Sequence, residues 1–233
     1  MTTITADDLN KLAQWDTPTI CNALEIVAPE RRGFGYTVRP FSVLAPSLPP
    51  VVGYARTVKI RAVSPDLAPD GKGMAGRLPY YEYIAAAPGP TIVVVEDLDP
   101  SPGIGAFWGE VQTNVHKGLG ALGGITNGSY RDVTDSAEGF QLLGGMVGPS
   151  HAFVRYVDFN CPVCVHGMEV EHGDIIHADQ HGAVVVPEDA VQKIPDAVDL
   201  ISRKEARILG AAKADGFNIE KLKQAIGDAE EIH

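Results

Sequence analysis

The run Thr91-Ile92-Val93-Val94-Val95 leaves few folds open to this chain of 233 residues. A strand with one face in water alternates polar and apolar side chains, whereas one without alternation is covered on both faces. The run therefore predicts an interior strand of an α/β sheet. A second short strand is expected at Gly124-Ile125-Thr126, within the stretch GGITNGSYRDVTD at 123–135, and Asn127-Gly128 supplies a turn that tolerates positive φ. Arg131 and Asp132 then follow side by side, just past the strand's carboxyl end. In open α/β sheets that is where ligands bind.

The chemistry of this pair is specific. A guanidinium grips a carboxylate through two parallel hydrogen bonds, and a neighbouring carboxylate is a hard oxygen ligand suited to Mg²⁺ or Mn²⁺. Upstream, AFWGEVQ at 106–112 forms a turn that opens a helix over 110–121, with Val111, Val115 and Leu119 on one side. The amino-terminal N–H groups of that helix form an anion site, and with Arg131 they would grip one carboxylate from two sides. By itself, an Arg-Asp dipeptide after a turn is a solvated loop with a weak ion pair.

Composition narrows the function classes. The length suits one sizeable core, read as a single domain over 1–233 with a helical segment from about 188. A net charge of −11 excludes a nucleic-acid surface, which needs clustered Lys and Arg, but is compatible with a basic protein segment. No apolar run reaches the roughly 18 residues of a membrane span. The opening MTTITADDLN has neither the basic nor the apolar region of a signal peptide, so a cytoplasmic protein is expected. Three cysteines are too few for a disulfide framework. Cys161 and Cys164 form CPVC, but no second pair accompanies them and the motif sits in a strand-like run, so they are read as buried small hydrophobes.

Along the chain, helices are expected over 6–14 and from Thr17, read as an N-cap with Pro18 at N1. A strand is expected over 54–60 and a long loop or lid over 63–78. A short helix follows over 80–86, ended by Pro88-Gly89-Pro90. A helix over 138–143, a strand over 151–159 and short strands over 163–187 come next, the last separated by turns at His172-Gly173-Asp174 and His181-Gly182. His166, His172, His177 and His181 are read as exposed turn histidines, because their spacing on strands points them to different faces or turns. The chain closes with a helix over 188–209, interrupted near Pro195, and another over 218–226. Lys59 is placed at a strand edge with its ammonium in solvent, which argues against a Schiff-base aldolase.

Several of these stretches, WDTPTICNALE at 15–25, WGEVQ at 108–112, NGSYRD at 127–132 and the run of strands to Pro187, resemble the RraA-like proteins, which include the 4-hydroxy-4-methyl-2-oxoglutarate/4-carboxy-4-hydroxy-2-oxoadipate aldolases. The resemblance covers 17 to about 207. It implies a compact α/β fold of β/β/α layers, assembled as a homotrimer or homohexamer with sites at subunit interfaces. It also implies a divalent-metal-dependent lyase acting on a small 2-oxo acid. Asp132 would hold Mg²⁺ or Mn²⁺, with Glu110 acting through water, Arg131 orienting the substrate and stabilising charge, and the amides of Gly109, Glu110, Val111 and Gln112 binding the pyruvyl carboxylate. Oxaloacetate decarboxylation follows from the same chemistry. A Glu from a neighbouring subunit approaches the site in the aldolases, and Glu205 is the nearest counterpart. Two features depart from the pattern: Asn127 replaces a common Asp, and GPSHAFVRYVDF at 148–159 replaces a Pro-Val-Phe-Ala-type strand. The family also contains a non-catalytic inhibitor of an RNA-degrading endonuclease, so a protein-binding regulator is the second expectation. A methyltransferase finds no support, because no Gly-rich nucleotide loop follows a first strand.

Overall fold

The computed structural model describes residues 3–65 and 77–233. Helices α1 (Ala6–Leu12) and α2 (Thr17–Val27) open the chain and bury Leu9, Leu12, Ile20, Ala23 and Leu24. Thr17 is not the N-cap of α2. Asp16 is, accepting from the Thr19 amide at 2.9 Å, and Thr17 already has helical geometry. Strands β1 (Ser42–Val43) and β2 (Val51–Arg61), helix α3 (Leu78–Ala85) and strand β3 (Thr91–Asp97) follow. Of the loop expected over 63–78, residues 66–76 lie outside the described residues.

Helix α4 (Glu110–Gly118) leads into β4 (Ala121–Thr126), with β5 (Ser129–Tyr130) just beyond. The expected helix end at 121 was too late, because Gly120 takes φ +93 and Ala121 is already in the sheet. Its buried side is also not the valine side: Thr113 and His116 face the core, while Val111 is 60% exposed. The helix expected over 138–143 is instead β6 (Gln141–Gly144), fully buried because it extends the parallel sheet beside β4. Burial in that sheet overrides local helix preference. Strand β7 (Met146–Val147) pairs with β5. The strand expected over 151–159 begins only at β8 (Arg155–Phe159), since Ala152 takes φ 43 and 151–153 turns.

Strands β9 (Val163–Val165) and β10 (Met168–Val170) form a hairpin, and β11 (Ile175–Asp179) and β12 (Gly182–Val186) form another. Helices α5 (Ile194–Ala212) and α6 (Ile219–Glu230) end the chain. Pro195 does not interrupt α5 but occupies its first turn, where its missing N–H costs nothing.

Among the described residues the main sheet runs β1-β6-β4-β3-β2-β11-β12, with β8 also on β2. Strands β2, β3, β4 and β6 are mutually parallel. The long β2 offers residues 51–54 to β11 and 58–61 to β8, so two antiparallel strands share one of its edges. In β3, Ile92 and Val94 face the β9–β10 hairpin, with Val163, Val165, Met168 and Val170 packed on them. Val93 and Val95 face the helices, with Tyr80, Ile84 and Trp108. These four side chains of β3 are fully buried. The expected β/β/α layering is therefore present: a hairpin layer, a sheet and a helical layer.

Candidate functional site

The site grows from the parallel arrangement of β3 and β4. Trp108 is fully buried and lies against Gly124 of β4, where an added Cβ would meet Trp108 Cζ2 at 2.4 Å. Packing at this closeness sets the chain before α4 down beside β5, where Trp108 bridges Tyr130 and its carbonyl accepts the Arg131 amide at 3.0 Å. Gly109 and Arg131 are thereby brought next to each other. A Cβ on Gly109 would lie 2.6 Å from Asp132 Oδ2 and 3.2 Å from Arg131 Cγ.

Asp132 has φ 55, a left-handed conformation that Asp tolerates better than most residues. Its carbonyl accepts the amides of Asp135 and Ser136 at 3.1 and 2.9 Å, closing a turn that explains the conformation. Its Oδ2 accepts the Glu110 amide at 3.0 Å, so Asp132 caps α4 from 22 residues away. Its Oδ1 lies 3.6 Å from Arg131 Nη1, and both side chains are partly exposed. The structure thus brings Gly109, Glu110, Arg131 and Asp132 together as expected. It also alters one assignment. The Glu110 amide is engaged by Asp132, so the amides left facing an incoming anion are those of Val111 and Gln112, which precede the first intrahelical bond from Thr113 to the Gly109 carbonyl. The Val111 side chain is exposed and the Gln112 side chain partly buried, with its Oε1 accepting from Tyr81 Oη at 3.2 Å.

Supporting contacts hold the turn. Thr113 Oγ1 donates to the Gly109 carbonyl and accepts from the Ala137 amide, each at 3.0 Å. Asn127 accepts from the Asp97 amide at 2.7 Å and donates to the Asp97 carbonyl at 3.0 Å, clamping the ends of β3 and β4. An Asp at this position has no N–H for the second bond, so here Asn127 is a structural clamp. A residue that sequence reading passed over is His116. It is fully buried, with Nδ1 2.7 Å from the Gln112 carbonyl and Nε2 2.7 Å from Tyr80 Oη. Burial pushes its pKa down to about 4. Its signal in the sequence was the helical spacing of Thr113 and His116.

Other expectations change. His177 is not an exposed turn histidine: it is fully buried on β11, with Nδ1 3.0 Å from Thr17 Oγ1 and Nε2 3.0 Å from the Trp15 carbonyl. Both bonds tie the α1–α2 junction to the sheet. Asp174 and Asp179 accept from nearby backbone amides, those of Glu171 and His181, each at 2.8 Å. Cys164 is exposed and Cys161 partly so, both as free thiols, so neither is a core hydrophobe. Lys59 is not at a strand edge, because β2 is flanked in register by Glu96 on β3 and Asp158 on β8. It lines a cleft of about 780 Å³ together with Arg31, Glu96 and Cys164, a lining that does not include Arg131 or Asp132. Glu205 lies on the exposed face of α5.

Among the described residues no group of three or more His, Cys, Asp or Glu side chains gathers as a metal cage. Mg²⁺, however, keeps several waters and binds proteins through one or two carboxylates plus substrate oxygens. Asp132 with Glu110 on the adjacent turn fits that pattern. No described helix is long and apolar enough to cross a membrane.

Comparison with known proteins supports the same family. The chain is 25% identical over 148 residues to the protein DlpA of Legionella pneumophila, a match that covers 61% of this chain and 23% of DlpA. An uncharacterized protein from Pseudomonas syringae pv. tomato superimposes with a TM-score of 0.68 at 20% identity, over 97% of this chain and 99% of that one. Streptomyces coelicolor RraAS2, described as an unusual member of the RNase ES inhibitor RraA protein family, superimposes with a TM-score of 0.68 at 20% identity, over 88% and 96% of the two chains. With the layered fold and the Gly109–Arg131–Asp132 constellation in place, and with residues 17–185 matching the family described as Aldolase/RraA, the chain belongs to the RraA-like family.

Proposed function

We propose that this chain is a divalent-metal-dependent lyase that cleaves a small 4-hydroxy-2-oxo acid to pyruvate. The observation that carries the reading is the approach of Arg131 and Asp132 to the first turn of α4 across Gly109, where no side chain intervenes. The amides of Val111 and Gln112, at the positive end of the helix, receive the carboxylate of the acid. As the C3–C4 bond breaks, the 4-hydroxyl gives its proton to a water beside Glu110, and C4 leaves as the carbonyl of the second product. The Arg131 guanidinium meets the keto oxygen adjoining the carboxylate and favours the enolate charge that collects there until C3 takes a proton from water to give pyruvate. Mg²⁺ or Mn²⁺, when bound, would act as a Lewis acid on those same oxygens. Asp132 would hold it through Oδ1, since Oδ2 is committed to the Glu110 amide. Glu110 would hold one of its waters. The same residues suit decarboxylation of oxaloacetate, which also leaves charge on the keto oxygen.

Around this turn, Val111, Val133, Met146 and Val147 are all roughly half exposed or more. Exposed apolar side chains on this scale suit a protein partner. We assign that surface to other copies of the chain in a homotrimer or homohexamer. It equally supports the second reading, a protein-binding regulator of the inhibitor type to which the Streptomyces relative is assigned.

The test is pyruvate release from 4-hydroxy-4-methyl-2-oxoglutarate and from oxaloacetate after EDTA treatment, with and without Mg²⁺, on wild type and Asp132→Ala whose assembly mass is read by light scattering. Metal-dependent turnover that falls roughly 10²-fold or more in an Asp132→Ala protein of unchanged mass is expected. Absence of turnover on both acids by an intact, metal-binding wild type would leave the regulator as the leading reading.

A further inference from the structure

Beneath the first turn of α4 lies a buried polar chain that none of the proposed chemistry uses. His116 is fully buried between α3 and α4, and its ring lies 4.8 Å from that of Trp108 and 5.6 Å from that of Tyr80, centroid to centroid. The direction of its hydrogen bonds follows from chemistry. A carbonyl only accepts, so at 2.7 Å from the Gln112 oxygen Nδ1 must carry the proton. Burial keeps the ring neutral, so Nε2 is the acceptor and Tyr80 Oη, at 2.7 Å, is its donor. Burial also holds the Tyr80 hydroxyl protonated. Every polar atom of the imidazole is therefore satisfied, in one tautomer.

The two ends of this chain bear on the candidate site. Gln112 is fastened by its carbonyl to His116 and by its side chain to Tyr81 Oη, so α3 holds it directly through Tyr81 and indirectly through the Tyr80–His116 bond. Trp108, on the other side of the Gly109 turn, packs on the same imidazole and presents its carbonyl to the Arg131 amide. One ring thus touches both arms of the turn that spaces the Val111 and Gln112 amides from Arg131.

We propose that His116 is a positioning residue: with Tyr80 it clamps Gln112 and Trp108 so that the first-turn amides of α4 keep their distance from Arg131. Its effect on turnover rests on the lyase reading above. The clamp itself does not, and the experiment separates the two.

Three variants are compared with wild type: Tyr80→Phe, which removes only the hydroxyl; His116→Leu, which removes both bonds; and His116→Asn, which retains an N–H near the place of Nδ1. Long-range ¹H–¹⁵N spectra of wild type at pH 7 should show a neutral His116 protonated at Nδ1. An Nε2-protonated or doubly protonated ring overturns the proposal. Backbone order parameters of Val111 and Gln112 should fall from about 0.85 towards about 0.6 in Tyr80→Phe, while Lys117 and Gly118 at the far end of α4 stay constant. Unchanged values in Tyr80→Phe and His116→Leu also overturn it. In turnover, His116→Leu should raise KM for the oxo acid about tenfold with kcat within about twofold, and His116→Asn should recover part of the loss. Amides loosened in the variants with an unaltered KM, or alongside a wild type that turns over neither acid, would uphold the clamp and reject the substrate role given to those amides.

Discussion

Gly109 stands where a single added methyl group would meet both Asp132 and Arg131. Gly109 is extended, at φ −171, a conformation open to any residue, so its requirement is purely one of space. A methyl there would press on Asp132 Oδ2 and Arg131 Cγ together. Because Oδ2 is held by the Glu110 amide, relief comes only by giving up that cap or by moving both side chains outward. Gly109→Ala should therefore lower turnover at least about tenfold through misplacement of Arg131 and Asp132. Its stability loss should be only about 1 kcal/mol, the usual worth of a cap. Paired kinetic and urea-unfolding measurements check both. Full activity in the Ala variant would show that the approach of these groups has no catalytic consequence.

At the scale of elements, β2 and α3 are joined by a buried cation. Arg56 is fully buried on β2, and its guanidinium donates to the carbonyls of Ala86 and Pro88, the latter at 2.9 Å, just past the end of α3. It also lies 5.8 Å from the centre of the Tyr83 ring. Helix C-termini need such donors for their last carbonyls, and a cation there also meets the negative end of the helix. Burial lowers the pKa of the guanidinium, and the Tyr83 phenol offsets part of that. Arg56→Met keeps the volume and strands the two carbonyls, so a loss of about 2–3 kcal/mol is expected from the urea midpoint. An unchanged midpoint would mean that the cost of desolvating the cation equals what its hydrogen bonds return. Since α3 also carries Tyr80 and Tyr81, this tie reaches the first turn of α4 through Gln112.

For the molecule as a whole, the buried histidines set a pH response. His116 has its pKa lowered by burial from 6.5 to about 4, and His177 is lowered for the same first cause. Between pH 6.5 and about 4 the unfolded chain therefore binds protons that the folded chain does not, and stability must fall as pH drops through that window. His116 alone contributes about 3 kcal/mol across it. Asp97, whose pKa is raised by burial, works in the opposite direction, because protonation relieves its desolvation. It is one group against four, because burial lowers His166 and His172 as well. A urea midpoint clearly lower at pH 5 than at pH 7 is the expected outcome, and equal midpoints would show that the two rings accept protons in place.

The layered fold was legible only through the family resemblance, whereas the sequence by itself determined the interior strand at Thr91–Val95, the turn histidines at 172 and 181, and the Arg131-Asp132 pair behind its strand with the Gly109 turn upstream. Each is written in a local pattern: unbroken hydrophobicity, glycine at a turn, or a charged dipeptide behind a strand. What only the tertiary structure decided depended on partners distant in the chain. Residues 141–144 became a strand because β4 offered them an edge, against the helix read from their neighbourhood. His177 became an interior tie to the α1–α2 junction because β11 runs beneath it, and Lys59 left the edge because β8 closes on β2. The Glu110 amide went to Asp132 rather than to an incoming anion for the same reason. Such roles arise from burial and from hydrogen bonds across the chain, for which a local pattern carries no signal.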